Sequence, residues 1–301
     1  MNEPHLHWRE WVPEFVLLAL LWGSSFLFMR EGAHAFGPFP TAWVRITLAA
    51  LILTPVLIWR REVAVLQRHW RPTFSSGLLN AGIPFACYAY ALMHINTGLT
   101  SILNATTPLF GALIAWVWLG HKLNRARAWG LALGFTGVVL LASGVPGGIS
   151  FKEGGSGMAV VACLGATFCY GIAGSFTQRY LQGVPSLVTT TGSLWGASLG
   201  LAIPAWLMWP SESPNLHAWA ALGIAGLLCT ALAYVLYFRL MTRTGPARAM
   251  TVTYLIPVFA NLFGTIFLDE VVTHWMMGCA VVIVLGTALA SGLVGEKPKQ
   301  A

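Results

Sequence analysis

The stretch TGLTSILNATTPLFGALIAWVWLGH, residues 97–121, returns in altered form as TGPARAMTVTYLIPVFANLFGTIFLDE, residues 244–270. Each opens on Thr-Gly and carries a proline inside its apolar run, Pro108 or Pro257. One ends at Leu119-Gly120-His121, the other at Leu268-Asp269-Glu270. The correspondence extends outward at a spacing of roughly 148 residues. Gly130 precedes Ala142-Ser143-Gly144 by the interval that separates Gly278 from Ala290-Ser291-Gly292. Pro38 and Pro55 bracket one apolar run as Pro185 and Pro204 bracket another. Trp22-Gly23 answers to Tyr170-Gly171.

This duplication organises ten apolar stretches of membrane-spanning length. They run near Val12 to Met29, Pro40 to Trp59, Phe74 to Met93, Leu99 to Leu119, Ala128 to Ser143, Met158 to Gln178, Ser186 to Trp209, Ala218 to Leu240, Ala247 to Leu268 and Trp275 to Leu293. The expected fold is an all-α membrane protein of ten transmembrane helices, in two five-helix repeats over 11–145 and 157–294. An odd number of spans per repeat sets the second unit upside down relative to the first. In such inverted repeats the substrate site lies near mid-depth, between the halves.

Composition agrees. The chain has 301 residues, of which 56% are hydrophobic and 9% charged, so a water-soluble class is excluded. One face receives fourteen of the 17 Lys and Arg: Arg9, Arg60, Arg61, Arg68, Arg71, Lys122, Arg125, Arg127, Arg179, Arg239, Arg243, Arg248, Lys297 and Lys299. The other receives Arg30 and Lys152, and Arg45 lies within a span. The positive-inside rule then puts both termini in the cytoplasm. The net charge of +7 is a by-product of that topology and implies no nucleic-acid partner. The first span is read as retained, because it has no small-residue cleavage site.

The five cysteines fall in spans without CxxC spacing, so neither a disulfide framework nor a metal site is expected. No cofactor is expected either, since no phosphate-cradling glycine loop appears. Gly192-Ser193-Leu194-Trp195-Gly196 sets its serine one position too early for a nucleophile elbow, and no zinc-binding HExxH occurs. The chain therefore reads as a non-enzyme with no catalytic residues. A channel stays open as an alternative, because a selectivity filter needs only backbone.

What remains are polar residues that hydrocarbon should exclude. A charged side chain at mid-membrane costs about 2.5–3.5 kcal/mol on insertion scales, which singles out Arg45. Two readings stand: an interfacial anchor or structural contact to backbone carbonyls, or a guanidinium in a cavity that meets a substrate carboxylate. Helical spacing selects companions on inward faces: Trp22, Ser25 and Phe26; Asn80, Pro84 and Tyr88; Asn104, Thr107 and Pro108; Thr230, Tyr234 and Tyr237; Tyr254, Pro257 and Asn261. Tyr170 joins them by its repeat relation to Trp22. The candidate substrate-binding set is Trp22, Ser25, Phe26, Arg45, Asn80, Tyr88, Asn104, Thr107, Tyr170, Tyr234, Tyr254 and Asn261. Each Asn or Tyr serves either as glue between helices or as the wall of a shared lumen.

A nucleotide-sugar carrier needs several cations along its path, and a cation antiporter normally needs an intramembrane carboxylate. A lumen of Trp, Tyr, Asn and Thr with one Arg suits a small amphipathic or zwitterionic solute. With no Asp, Glu or His clearly at mid-depth, transport is expected to be uncoupled or exchange. Proton-coupled export of drugs or other metabolites is the alternative. Gly192, Gly196 and Gly200 form a small-residue ridge, for contact within a monomer or for a weak homodimer.

Trp22-Gly23-Ser24-Ser25-Phe26, the proline-bearing fourth and ninth spans with their Leu119-Gly120-His121-Lys122-Leu123 and Leu268-Asp269-Glu270 ends, and the following Gly130 and Gly278 helices resemble the two EamA units of the drug/metabolite transporter superfamily. The resemblance covers residues 11 to 294. Two departures stand out: His121 replaces a frequent Glu and Asp269 a frequent Gly, which bears on helix-end contacts and leaves the topology as it is. The resemblance implies a bacterial inner-membrane carrier, commonly an exporter of amino acids or other metabolites. Within the family the chain looks most like the aromatic amino acid exporters.

Overall fold

A computed structural model describes residues 8–144, 156–244 and 249–292. Lys152, Arg248, Lys297, Lys299 and the expected repeat ends at 145 and 294 lie outside the described residues. Every regular element among the described residues is helical.

The first half holds α1 (Trp8–Phe36), α2 (Pro38–Trp59), α3 (Val63–Arg68), α4 (Trp70–Gly77), a π-helical segment (Leu78–Gly82), α5 (Ile83–Leu92), α6 (Thr97–Asn104), α7 (Thr107–Leu119) and α8 (Arg125–Ser143). The second holds α9 (Ser156–Tyr180), α10 (Ser186–Leu207), α11 (Leu216–Gly226), a second π segment (Leu227–Leu232), α12 (Ala233–Thr244), a 3₁₀ turn (Thr251–Tyr254), α13 (Ile256–Leu268) and α14 (His274–Ala290). Seven helical stretches among the described residues are long and apolar enough to cross a membrane: Trp11–Phe36, Pro38–Trp59, Thr97–Leu119, Arg125–Ser143, Ser156–Tyr180, Leu216–Met241 and Thr251–Leu268. Further apolar helices stand beside them. The outer surface carries Trp129, Val139, Ile203, Trp206, Ile266, Phe267 and Val281, all well exposed, a girdle that only a bilayer solvates favourably.

Local chemistry sets the helix ends. Gly37, at φ 79°, makes the single-residue turn between α1 and α2, and proline follows at the first turn of α2, where no N–H is needed. Asn96, Asn124, Asn215 and Thr273 cap α6, α8, α11 and α14 by accepting backbone N–H groups with their side chains. The expected first span, ending at Met29, falls short: α1 continues to Phe36, which places Arg30, Glu31 and His34 on helix. The fourth expected span is not one smooth helix. It breaks between Asn104 and Thr107, and Pro108 sits in the first turn of α7; Pro257 likewise opens α13 after the 3₁₀ turn.

The halves interlock crosswise. Gly23 of α1 lies against Phe259 and Ala260 of α13, so close that an added Cβ would come within 2.5 Å of Phe259 Cβ. Gly171 of α9 lies in the same way against Phe110 and Gly111 of α7. Helix α2 packs on α10, and α8 packs on α14, where Gly130 and Gly134 meet Ala290 and Gly286. The ridge of Gly192, Gly196 and Gly200 is filled inside the monomer, by Thr73, Phe74 and Leu78 respectively. That stripe is therefore not a free dimer surface.

Candidate functional site

The site is built where α2 meets the second π segment. One extra residue per turn in Leu227–Leu232 disturbs the regular hydrogen-bond ladder. Thr230 Oγ1 accordingly donates to the carbonyl of Ala225, five residues back, at 2.8 Å. The same oxygen accepts from Arg45 Nε at 2.8 Å. Gly226, just before the bulge, lets α2 approach: its Cβ position lies 3.0 Å from the Arg45 carbonyl oxygen.

Arg45 is 3% exposed. The side chain is thus enclosed by neighbouring helices. Its other contacts are soft: Nη1 reaches Met29 Sδ at 3.5 Å, and the guanidinium carbon lies 4.2 Å from the centre of the Phe85 ring. Tyr170 and Tyr234 pack on the same apolar cluster as Phe85. Among the described residues no carboxylate pairs with Arg45. A buried cation with one hydroxyl acceptor and an aromatic face keeps several N–H groups unspent.

Around it the structure gathers most of the expected set. Asn80 stands half-buried in the first π segment. Tyr88 donates to Asn104 Oδ1 at 2.8 Å, and its ring stands 6.2 Å from that of Tyr170 and 5.9 Å from that of Phe26. Trp22 lies one turn of α1 from Phe26 and packs against Tyr237 at 5.3 Å between ring centres. These contacts join α1, α2, α5, α6, α9 and α12 into one polar-aromatic zone.

Others in the set are spent locally. Ser25 donates to the Trp22 carbonyl at 2.7 Å, and Thr107 to that of Asn104 at 2.8 Å. Tyr254 meets Ser291 of the α14 end at 3.4 Å. Asn261 donates to Pro257 O at 2.7 Å and turns its carboxamide against Gly98 of α6. Among the described residues no hydrogen bond or ring contact ties Tyr254 or Asn261 to Arg45. Thr230 and Phe85 were absent from the expected set. Thr230 shares a helical face with Tyr234, which is a readable signal, whereas nothing in the sequence marks Phe85.

Ion pairs stand away from this zone. Glu14 of α1 takes Arg239 and Arg243 of α12, at 3.0 and 3.2 Å. Arg30 of α1 pairs with Glu270 beyond the end of α13. No group of three or more His, Cys, Asp or Glu able to hold a metal occurs among the described residues.

Comparison with known proteins agrees with this architecture. Residues 11–143 and 157–292 each match the EamA-like transporter family. The uncharacterized transporter YvbV of Bacillus subtilis is 25% identical over 280 residues, covering 91% of this chain and 89% of the relative. The uncharacterized inner membrane transporter YedA of Escherichia coli is 25% identical over 304 residues, covering 97% and 96%. A crystal structure with 23% identity superposes over 95% of this chain and 97% of its own, with a TM-score of 0.66, and so shares the fold. The chain belongs to the EamA-like transporter family, within the drug/metabolite transporter superfamily, and is a multi-pass membrane transporter.

Proposed function

We propose that this protein is an inner-membrane carrier that exports small amphipathic metabolites, amino acids including aromatic ones, by alternating access. Arg45 receives the substrate carboxylate, and Phe85, Tyr88, Tyr170 and Tyr234 hold the apolar or aromatic part. One observation carries this reading: Arg45 is buried with a hydroxyl, a thioether and an aromatic face around it and no carboxylate among the described residues. A charge in that state is stabilised when an anion arrives, and the charge-assisted bonds it then forms are stronger than neutral ones.

In this reading the chain crosses the bilayer ten times, with its two repeats inverted and both termini cytoplasmic. The crossed packing of α1 on α13 and of α9 on α7 supports two related units that share one central site. A cysteine in place of Glu212 then reacts with an impermeant reagent from outside, and one in place of Gln67 does not. Transport runs down the substrate gradient or by exchange, since the acids Glu14 and Glu270 are engaged in ion pairs away from Arg45.

The test is uptake by proteoliposomes offered amino acids, aromatic amines, sugars and nucleotides, with and without a pH gradient. Saturable flux of aromatic amino acids, lost in Arg45→Ala while the protein stays monodisperse, is the expected result. Accumulation above equilibrium that an ionophore abolishes overturns the uncoupled mechanism, and equal flux in Arg45→Ala overturns the role of Arg45.

A further inference from the structure

At the matched helix ends of the two halves the backbone does the same thing with different side chains. Helix α7 ends on Gly120 at φ 69° and α13 on Asp269 at φ 52°, both left-handed. His121, next after Gly120, is exposed. Glu270, next after Asp269, has a side chain only 7% exposed. Its carboxylate accepts the Thr97 backbone N–H at 2.9 Å, the Thr97 hydroxyl at 2.6 Å and the guanidinium of Arg30. It lies over Gly264, where an added Cβ would fall 2.4 Å from Glu270 Oε2 and from Thr97 Oγ1. One carboxylate thus ties α1, the start of α6 and the end of α13. The Gly120 end shows that the turn itself forms without such a group.

The pair borders a cavity of about 550 Å³ whose polar lining includes His94, Asn96 and Thr273. That volume lies within the ~300–1,000 Å³ typical of small-molecule sites. Opening this end means parting Arg30 from Glu270. Left uncompensated, two partly buried charges are costly to separate. A solute with one charge compensates only one of them. A zwitterion compensates both, because its carboxylate replaces Glu270 on Arg30 while its ammonium replaces Arg30 on Glu270.

We propose that the cavity at Arg30 and Glu270 is a second binding site, for zwitterionic amino acids, and that partner exchange there releases the latch on this end of the bundle. It rests on the reading of the chain as a carrier of small amphipathic solutes and adds a site apart from Arg45. Selection for a zwitterion then occurs at this outer end as well as at the centre.

The experiment uses the full chain in liposomes, with its five cysteines replaced and spin labels at His34→Cys and Val271→Cys, both exposed positions flanking the pair. Phenylalanine is expected to create a longer-distance population, while phenethylamine and hydrocinnamate, each with one of its two charges, leave the distribution unchanged. Glu270→Gln and Arg30→Gln, in folded protein, are expected to show the long distance without solute and no response to it. Equal effects of the three solutes, no effect of any, or an unaltered response in both variants overturns the proposal. In Arg45→Ala the phenylalanine response is expected to persist. If that response is missing in the parent while Arg45→Ala still abolishes flux, only this inference falls; if flux survives without Arg45, the central reading falls.

Discussion

Arg45 of α2 and Ser193 of α10 occupy matched places in the two repeats; Arg45 faces the second π segment and Ser193 faces α4, which leads into the first. Ser193 lies against Gly77, whose Cβ would be 1.9 Å from the Ser193 carbonyl oxygen, and its hydroxyl donates to Thr73 O at 3.2 Å. Arg45 lies against Gly226 and donates to Thr230. Both side chains are 3% exposed. The frame therefore closes with a small neutral hydroxyl in one half and with a guanidinium bound to Thr230 in the other. Under the proposed function the guanidinium is there to meet substrate: the matched place in the other half holds a serine, as the Gly120 end holds no carboxylate where the Asp269 end is followed by Glu270.

The largest expected effect that tests this contrast is on transport. Arg45→Ala should lower flux of carboxylate-bearing substrates about 100-fold, the ~3 kcal/mol lost when one member of a buried charge pair is removed. Proteoliposome uptake at matched amounts of folded protein checks this. If the folded protein is lost in parallel, the frame needs Arg45 after all.

Next comes stability on the Ser193 side. Gly196→Ala forces a Cβ to within 2.4 Å of the Phe74 backbone and should destabilise the chain by about 1–3 kcal/mol. Gly165→Ala, in open space on α9, should stabilise it by up to about 1 kcal/mol through helix propensity. Thermal unfolding in detergent reads both, and shifts of the same sign would contradict the close approach of α10 to α4.

A smaller effect isolates the second bulge. Thr230→Val keeps the shape but removes the acceptor for Arg45 Nε, and flux should fall roughly tenfold, for a hydrogen bond to a charged group of ~1.5 kcal/mol. The companion change, Ser193→Ala, should leave flux within about twofold, since a neutral hydroxyl bond contributes ~1 kcal/mol or less and lies away from the substrate. Similar losses from Thr230→Val and Ser193→Ala in the same uptake assay would erase the distinction between the halves.

Much of this was legible in the residues. Apolar runs cannot hide their length, and the matched Thr-Gly, proline and Gly positions disclose a duplication without any coordinates. The zone around Arg45 was legible in part, because Tyr88, Tyr170, Tyr234, Asn80 and Asn104 are costly in hydrocarbon and so announce themselves one by one. Which of them share a space was not legible. Tyr254 and Asn261 carry the same signal as Tyr88, yet they lie against Ser291 and Gly98.

The sequence by itself determined that this chain lives in a bilayer, that it is built from two related units and that one charge is out of place within a span. These follow from composition and from local periodicity, which act residue by residue. Only the tertiary structure decided that α1 runs on to Phe36, that the glycine ridge of α10 is used within the monomer and that Arg45 meets Thr230, 185 residues along the chain, without a carboxylate among the described residues. Such pairings depend on how far a helix bends at a π turn and how closely two backbones approach at a glycine. Both are set by helices distant in sequence, so no local pattern records them.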